Sequence, residues 1–248
     1  MLYGLHAVRE ALRAGSRPLQ RLLVLRTDRQ FTDLVEQAKA QRIPVHIEPS
    51  PAFDRLVPGG NHQGVIAFVA AKAYSSTQDI LQLARQKGEP PFLVILDGVE
   101  DPQNLGAIIR TAEAAGVHGI FIPERRAAGL TSIVAKTSAG ALEHMLVARV
   151  VNLSRLLEEL KEAGLWTYGV EPAAPTDFTA LDMTGPIAFV FGGEGGGIRR
   201  GIAQECDGLV RIPMTGKVES LNVSAAVAVT LFEGVRQRTL LSKPRGGV

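Results

Sequence analysis

Three stretches, far apart in the chain, carry the polar side chains best suited to chemistry. Asn104 and Arg110 follow the apolar run Phe92–Leu96. Glu194 lies among glycines in Gly192–Gly197, directly after the apolar run Ile187–Phe191. Ser220 and Asn222 follow the short run Gly208–Ile212. Amide, hydroxyl and carboxylate groups can orient a polar ligand, and arginine offers a fixed cation for an anion or a developing negative charge. Each residue also has a plainer reading. Asn104 suits a turn, Arg110 a solvated helix face, Glu194 a surface loop, and Asn222 or Ser224 a helix cap.

Other chemistries find little support. Cys206 is the single cysteine and stands between Glu205 and Asp207, where two carboxylates disfavour a thiolate. The five histidines, at 6, 46, 62, 118 and 144, show no zinc-ligand spacing, so no metal is expected. There is no G-x-S-x-G elbow. A P-loop fails because Ile198, not Lys, follows Gly197, and the dinucleotide fingerprint fails for want of a glycine at 198. The glycine cluster therefore serves close approach of a ligand to backbone, without the usual pyrophosphate pattern.

Apolar strands alternating with helices must position these residues. Strands are expected at 21–25, 45–47 and 64–70, and helices at 4–14, 32–41 and 51–56, forming a small α/β module over residues 1–72. Residues 73–90 read as a linker with a short helix near 80–85. From residue 91 to 248, continuous apolar strands predict a parallel sheet covered on both faces. Asp101 and Pro102 predict a helix start, with Leu105, Ile108, Ile109 and Ala112 as its buried stripe. An apolar helix should run from Ala225 to Arg238. In such sheets ligands bind beyond the carboxyl ends of strands, which is where all three polar loops lie.

The chain has 248 residues, 46% hydrophobic and 21% charged, enough for a full core. Net charge is +2, but residues 1–72 carry ten basic and six acidic residues. A basic front module points to a polyanion partner. With no apolar leader and no long apolar run, a cytoplasmic protein is expected.

Asp101–Gly116, Phe191–Gly197 and Ile212–Ser224 resemble the three signature motifs of the SpoU (TrmH-like) family within the SPOUT methyltransferases. Tyr3–Ala7 and Asn61–Gly64 resemble that family's L30e-like RNA-binding module. The resemblance implies a parallel sheet with a deep trefoil knot near the carboxyl terminus, S-adenosyl-L-methionine as cofactor, and homodimers. It implies methyl transfer to an RNA ribose 2′-hydroxyl, most closely that of a guanosine in 23S rRNA. A transfer-RNA target and a non-catalytic RNA-binding or assembly role remain alternatives. By motif position, Arg110, Asn104, Glu194, Ser220 and Asn222 would be catalytic, and Gly192, Ile212 and Leu221 would hold the cofactor. Arg9, Arg13 and Arg21 would bind RNA phosphates. Many relatives carry Asn where this chain has Gly193.

Overall fold

The computed structural model describes residues 1–27 and 29–242. The chain forms two compact units, one of Met1–Ala73 with Gly129–His144, the other of Tyr74–Ala128 with the chain from Met145 onward.

The first unit opens with β1 (Leu2–Tyr3) and α1 (Leu5–Ala14). It continues through β2 (Leu19–Val24), α2 (Thr32–Ala40), β3 (Val45–Ile47), α3 (Ser50–Leu56) and β4 (Val65–Val69). Its sheet order is β1-β4-β2-β3. β4 runs antiparallel to both neighbours, and β2 and β3 are parallel. α1 buries Ala7, Val8, Ala11 and Leu12. β1 was not foreseen, because two residues are too short to show alternation. Gly4 enters α1 with φ 92°, and the Leu5 amide donates to Gln63 Oε1 at 3.0 Å. The polar 58–64 loop is thus tied to the start of the first helix.

In the second unit, α4 (Thr77–Lys87) is longer than the short helix expected there. A capping box starts it, with Ser76 and Asp79 satisfying each other's backbone amides. Ile80 is fully buried, and a side chain at Gly119 would collide with it. Then come β5 (Phe92–Asp97), α5 (Pro102–Ala114) and β6 (Gly119–Pro123). Asp101 caps α5 by accepting from the Gln103 amide at 2.9 Å, with Pro102 inside the first turn.

The chain then contributes α6 (Ser132–Thr137) and a 3₁₀ turn, Ala141–Glu143, to the first unit. The Glu143 carboxylate is buried and salt-bridged to Arg17. Ser16 donates to it at 2.9 Å, and Lys72 donates to the Glu143 carbonyl at 2.9 Å. A buried carboxylate needs such partners, so this segment is fixed where they are.

Back in the second unit follow β7 (Val147–Val150), α7 (Leu153–Glu162), β8 (Trp166–Val170), β9 (Thr176–Asp177), β10 (Ile187–Gly192), α8 (Arg200–Glu205), β11 (Gly208–Arg211) and α9 (Val223–Ser242). The sheet order is β7-β6-β5-β10-β8-β11-β9, and every pair is parallel, as expected. One face presents Leu93, Ile95, Ala188 and Val190 to α7 and α8. On the other, Phe92 and Phe189 meet edge to face at 6.4 Å. Gly234 of α9 lies so close to Phe92 that a Cβ there would stand 2.8 Å from the ring. Cover on both faces explains strands that are apolar throughout.

Arg238 fastens α9 to this sheet. Its guanidinium donates to the carbonyls of Met183, Pro90, Pro91 and Gly185 and lies 4.4 Å over the Phe92 ring.

Candidate active site

Two parallel strands side by side, β5 and β10, end at Asp97 and Gly192 in register. Their following loops therefore leave the sheet at one level. The loop after β10 folds back on itself through a Gly193–Gly197 bridge. A side chain at Gly192 would lie 1.9 Å from the Gly197 carbonyl carbon. One at Gly193 would lie 1.8 Å from the Gly98 carbonyl oxygen. Glycine at both positions is thus a steric requirement of this backbone. At Gly193 the loop from β5 occupies the space a side chain would need.

Two carboxylates pin the far end of this loop. Asp97, almost fully buried, accepts from the Arg199 amide at 2.9 Å and from its guanidinium at 2.8 Å. Glu171, just past β8, accepts from the Ile198 amide at 2.6 Å. Neither residue was singled out from the sequence. An acid closing an apolar strand was the available signal for Asp97.

The three polar loops converge as their placement suggested. Asn104, in the first turn of α5, donates to Glu194. Asn222 donates to Asn104 Oδ1 at 3.1 Å. Asn222 also caps α9, its Oδ1 accepting from the Ser224 amide at 2.9 Å and the Ser224 hydroxyl at 2.6 Å. Asn222 thus caps the helix with its oxygen and joins Asn104 with its nitrogen, so the cap leaves the amide nitrogen free for the link between loops. The helix begins two residues earlier than expected, because this cap sets its start at Val223.

Beside this triad is a cavity of about 590 Å³. Gly192, Ile212 and Leu221 line it, as do Glu194, Ser220 and Asn222. Arg110 does not line it within one chain and stands on the exposed side of α5. In the first unit, Arg13 pairs with Glu10 at 3.0 Å, and Arg21 stacks 4.0 Å over the Phe68 ring. Arg9 is half-buried on α1, one turn before Arg13. Burial pushes the Cys206 thiol up to about 11, with Asp207 and Glu205 adding to it. Burial outweighs the neighbouring carboxylates in keeping this thiol from acting as a nucleophile.

Residues 91–232 match the SpoU rRNA methylase family, and residues 1–75 match the RNA 2′-O ribose methyltransferase substrate-binding family. The chain belongs to the SpoU rRNA methylase family. It is similar to a protein of Bacillus subtilis described as a TrmH family tRNA/rRNA methyltransferase, 49% identical over 84% of each chain. It is also similar to the 23S rRNA (guanosine-2′-O-)-methyltransferase of Xylella fastidiosa, 46% identical over 86% of this chain and 85% of that one. Among solved structures, the AdoMet-bound rRNA methyltransferase of Sinorhizobium meliloti superimposes with a TM-score of 0.78. It is 27% identical and covers 94% of this chain and 85% of that one.

As a SpoU methylase, the protein is an RNA 2′-O-ribose methyltransferase that takes its methyl group from S-adenosylmethionine. The cavity suits that cofactor. Its lining combines the glycine loop Gly192–Gly197, whose backbone is left bare of side chains except at Glu194, with the apolar Ile212 and Leu221.

Proposed function

We propose that this methylase modifies the ribose of a guanosine in 23S rRNA. The observation that carries the chemistry is the Asn222–Asn104–Glu194 chain of hydrogen bonds at the cavity edge. The choice of target is supported by the 46% identity to the 23S rRNA guanosine enzyme across most of both chains. The broader description of the Bacillus subtilis relative keeps transfer RNA as the second reading.

Gly192, Ile212 and Leu221 would hold the cofactor, chiefly through backbone groups. When bound, it supplies a methyl made electrophilic by its sulfonium, so the protein needs no covalent intermediate. What remains is alignment of one hydroxyl. Asn104, Glu194, Ser220 and Asn222 orient the acceptor ribose and one another. Arg110 binds the adjacent phosphate through its guanidinium and stabilises the developing alkoxide.

Arg110 performs this role in a homodimer, on our reading, because it stands apart from the cavity of its own chain. An outward stripe on α9 supports that assembly: Ala225, Val229, Phe232 and Leu240 are all exposed there. The return of the chain from β11 to pack α9 beside α5 supports a knotted path. The basic first unit would bind RNA phosphates through Arg9, Arg13 and Arg21, and the enzyme would act in the cytoplasm, where ribosomes are made.

Unmodified 23S rRNA and transfer RNA, incubated separately with the protein and radiolabelled S-adenosylmethionine, would test the proposal. Digestion should yield 2′-O-methylguanosine from 23S rRNA, and Arg110→Ala should abolish it. Label confined to transfer RNA would replace the ribosomal reading. A wild-type rate for Arg110→Ala would remove that residue from catalysis.

A further inference from the structure

The loop after β10 has a second side. There, still within the second unit, the ends of β5, β6 and β7 enclose another cavity of about 610 Å³. Gly193, Glu194, Gly196 and Gly197 line this space as well as the first. Glu194 therefore stands where the two cavities meet.

The second cavity is charged with both signs. Arg199 is already held by Asp97. Arg125 and Arg126, just past β6, and Glu100 and Glu124 are exposed. These four side chains enter none of the ion pairs found among the described residues. The loop that carries Arg125 and Arg126 is nonetheless fixed. Arg149 donates to the Glu124 carbonyl at 2.7 Å, and the Ala128 amide donates to the Val99 carbonyl at 2.9 Å. Between these anchors Arg126 adopts φ 58°, a conformation seldom taken by residues other than glycine.

Guanidinium groups beside carboxylates would be a poor pocket for a simple anion. They match a nucleotide whose base donates hydrogen bonds while its backbone is anionic. Guanine answers that description, because N1–H and the 2-amino group donate side by side to a carboxylate. We propose that this second cavity is the acceptor pocket. Arg125 and Arg126 hold phosphates of the RNA backbone, and Glu100 and Glu124 accept from the guanine edge. This places the ribose at Glu194, next to the donor cavity. The inference rests on the methylase reading above and adds to it the groups that select the nucleotide.

The test uses the full-length protein and a 23S rRNA transcript whose methylated guanosine has first been mapped with the wild type. A second transcript carries adenosine at that site. For R125A/R126A, KM for both transcripts should rise about tenfold or more, with a shallower salt dependence and an unchanged dissociation constant for S-adenosylmethionine. For E100Q/E124Q, kcat/KM should fall about tenfold or more on the guanosine transcript and change far less on the adenosine one. Arg200→Ala, an exposed arginine outside this cavity, should match the wild type. Either double variant at wild-type values overturns the proposal. So does a loss of cofactor affinity in R125A/R126A, which would mean that the arginines hold the cofactor's own carboxylate. Failure of the wild type to methylate any RNA would instead defeat the underlying functional reading.

Discussion

The Asn222 side-chain amide donates to Asn104 Oδ1 at 3.1 Å, across 118 positions of sequence. Asn104 passes the link to Glu194, so the starts of α5 and α9 and the glycine loop share one set of hydrogen bonds. The same Asn222 caps α9 through its oxygen. A single side chain therefore couples helix stability to site geometry, and the two can be separated by substitution.

Asn222→Asp keeps a good cap but removes the N–H that Asn104 accepts, and it adds a carboxylate close to Glu194. Methylation should fall about tenfold or more while the melting temperature stays within a few degrees of wild type. Asn222→Ala should lose activity and also about 1 kcal/mol of stability. Kinetics and thermal melts on both variants separate the roles. Full activity in Asn222→Asp would show that the link to Asn104 is dispensable.

Gly193→Asn would set a side chain against the Gly98 carbonyl, which leaves no room for it. The loop must shift, at a cost of about 1–3 kcal/mol by analogy with overpacked cores. Titration calorimetry should show weaker binding of S-adenosylmethionine. Unchanged affinity and stability would mean the loop yields more readily than its contacts suggest.

His118 is buried, with Nδ1 accepting from the Phe92 amide at 3.1 Å and Nε2 placed 3.0 Å from Glu89. Burial lowers its pKa, against the opposing pull of Glu89; Lys87 and Arg238 add to the lowering. The folded state then binds fewer protons than the unfolded state below the ordinary histidine value of about 6.5. Stability should fall as pH drops from there towards the lowered folded value. His118→Gln should flatten this part of the melting profile against pH, and an unchanged slope would assign it to other groups.

Arg238→Ala would leave up to four carbonyls without their donor and remove the cation above Phe92. Chemical denaturation should register a loss of about 2–3 kcal/mol. Arg238→Lys should recover little of it, since an ammonium cannot reproduce the planar fork.

Most strands of the second unit were legible because they are short apolar runs that stop at a polar loop; β9, the polar pair Thr176–Asp177, has no such run and was missed. That pattern also gave the loops their common end of the sheet, and hence Asn104, Glu194 and Asn222 their meeting place. The full length of α4 was missed: its apolar residues suggest a short helix, and the capping-box spacing of Ser76 and Asp79 was the unused signal for its start. Asp97, Glu171 and Arg238 were not legible as fasteners. Each acts on backbone groups brought near it by the fold, and such groups leave no mark in the identity of residues. The 129–144 segment was opaque for a related reason. Its anchor is the buried pair of Glu143 with Arg17, 126 positions away, which no local pattern announces.

Because Asn222 belongs both to the cavity wall and to the first turn of the last helix, the proposed cofactor seat is complete only once that helix has formed. A growing chain still inside the ribosome at that residue has the glycine loop and α5 but no closed seat for the methyl donor. A copy that stops short of Asn222 would therefore lack both the first turn of α9 and one edge of the cavity.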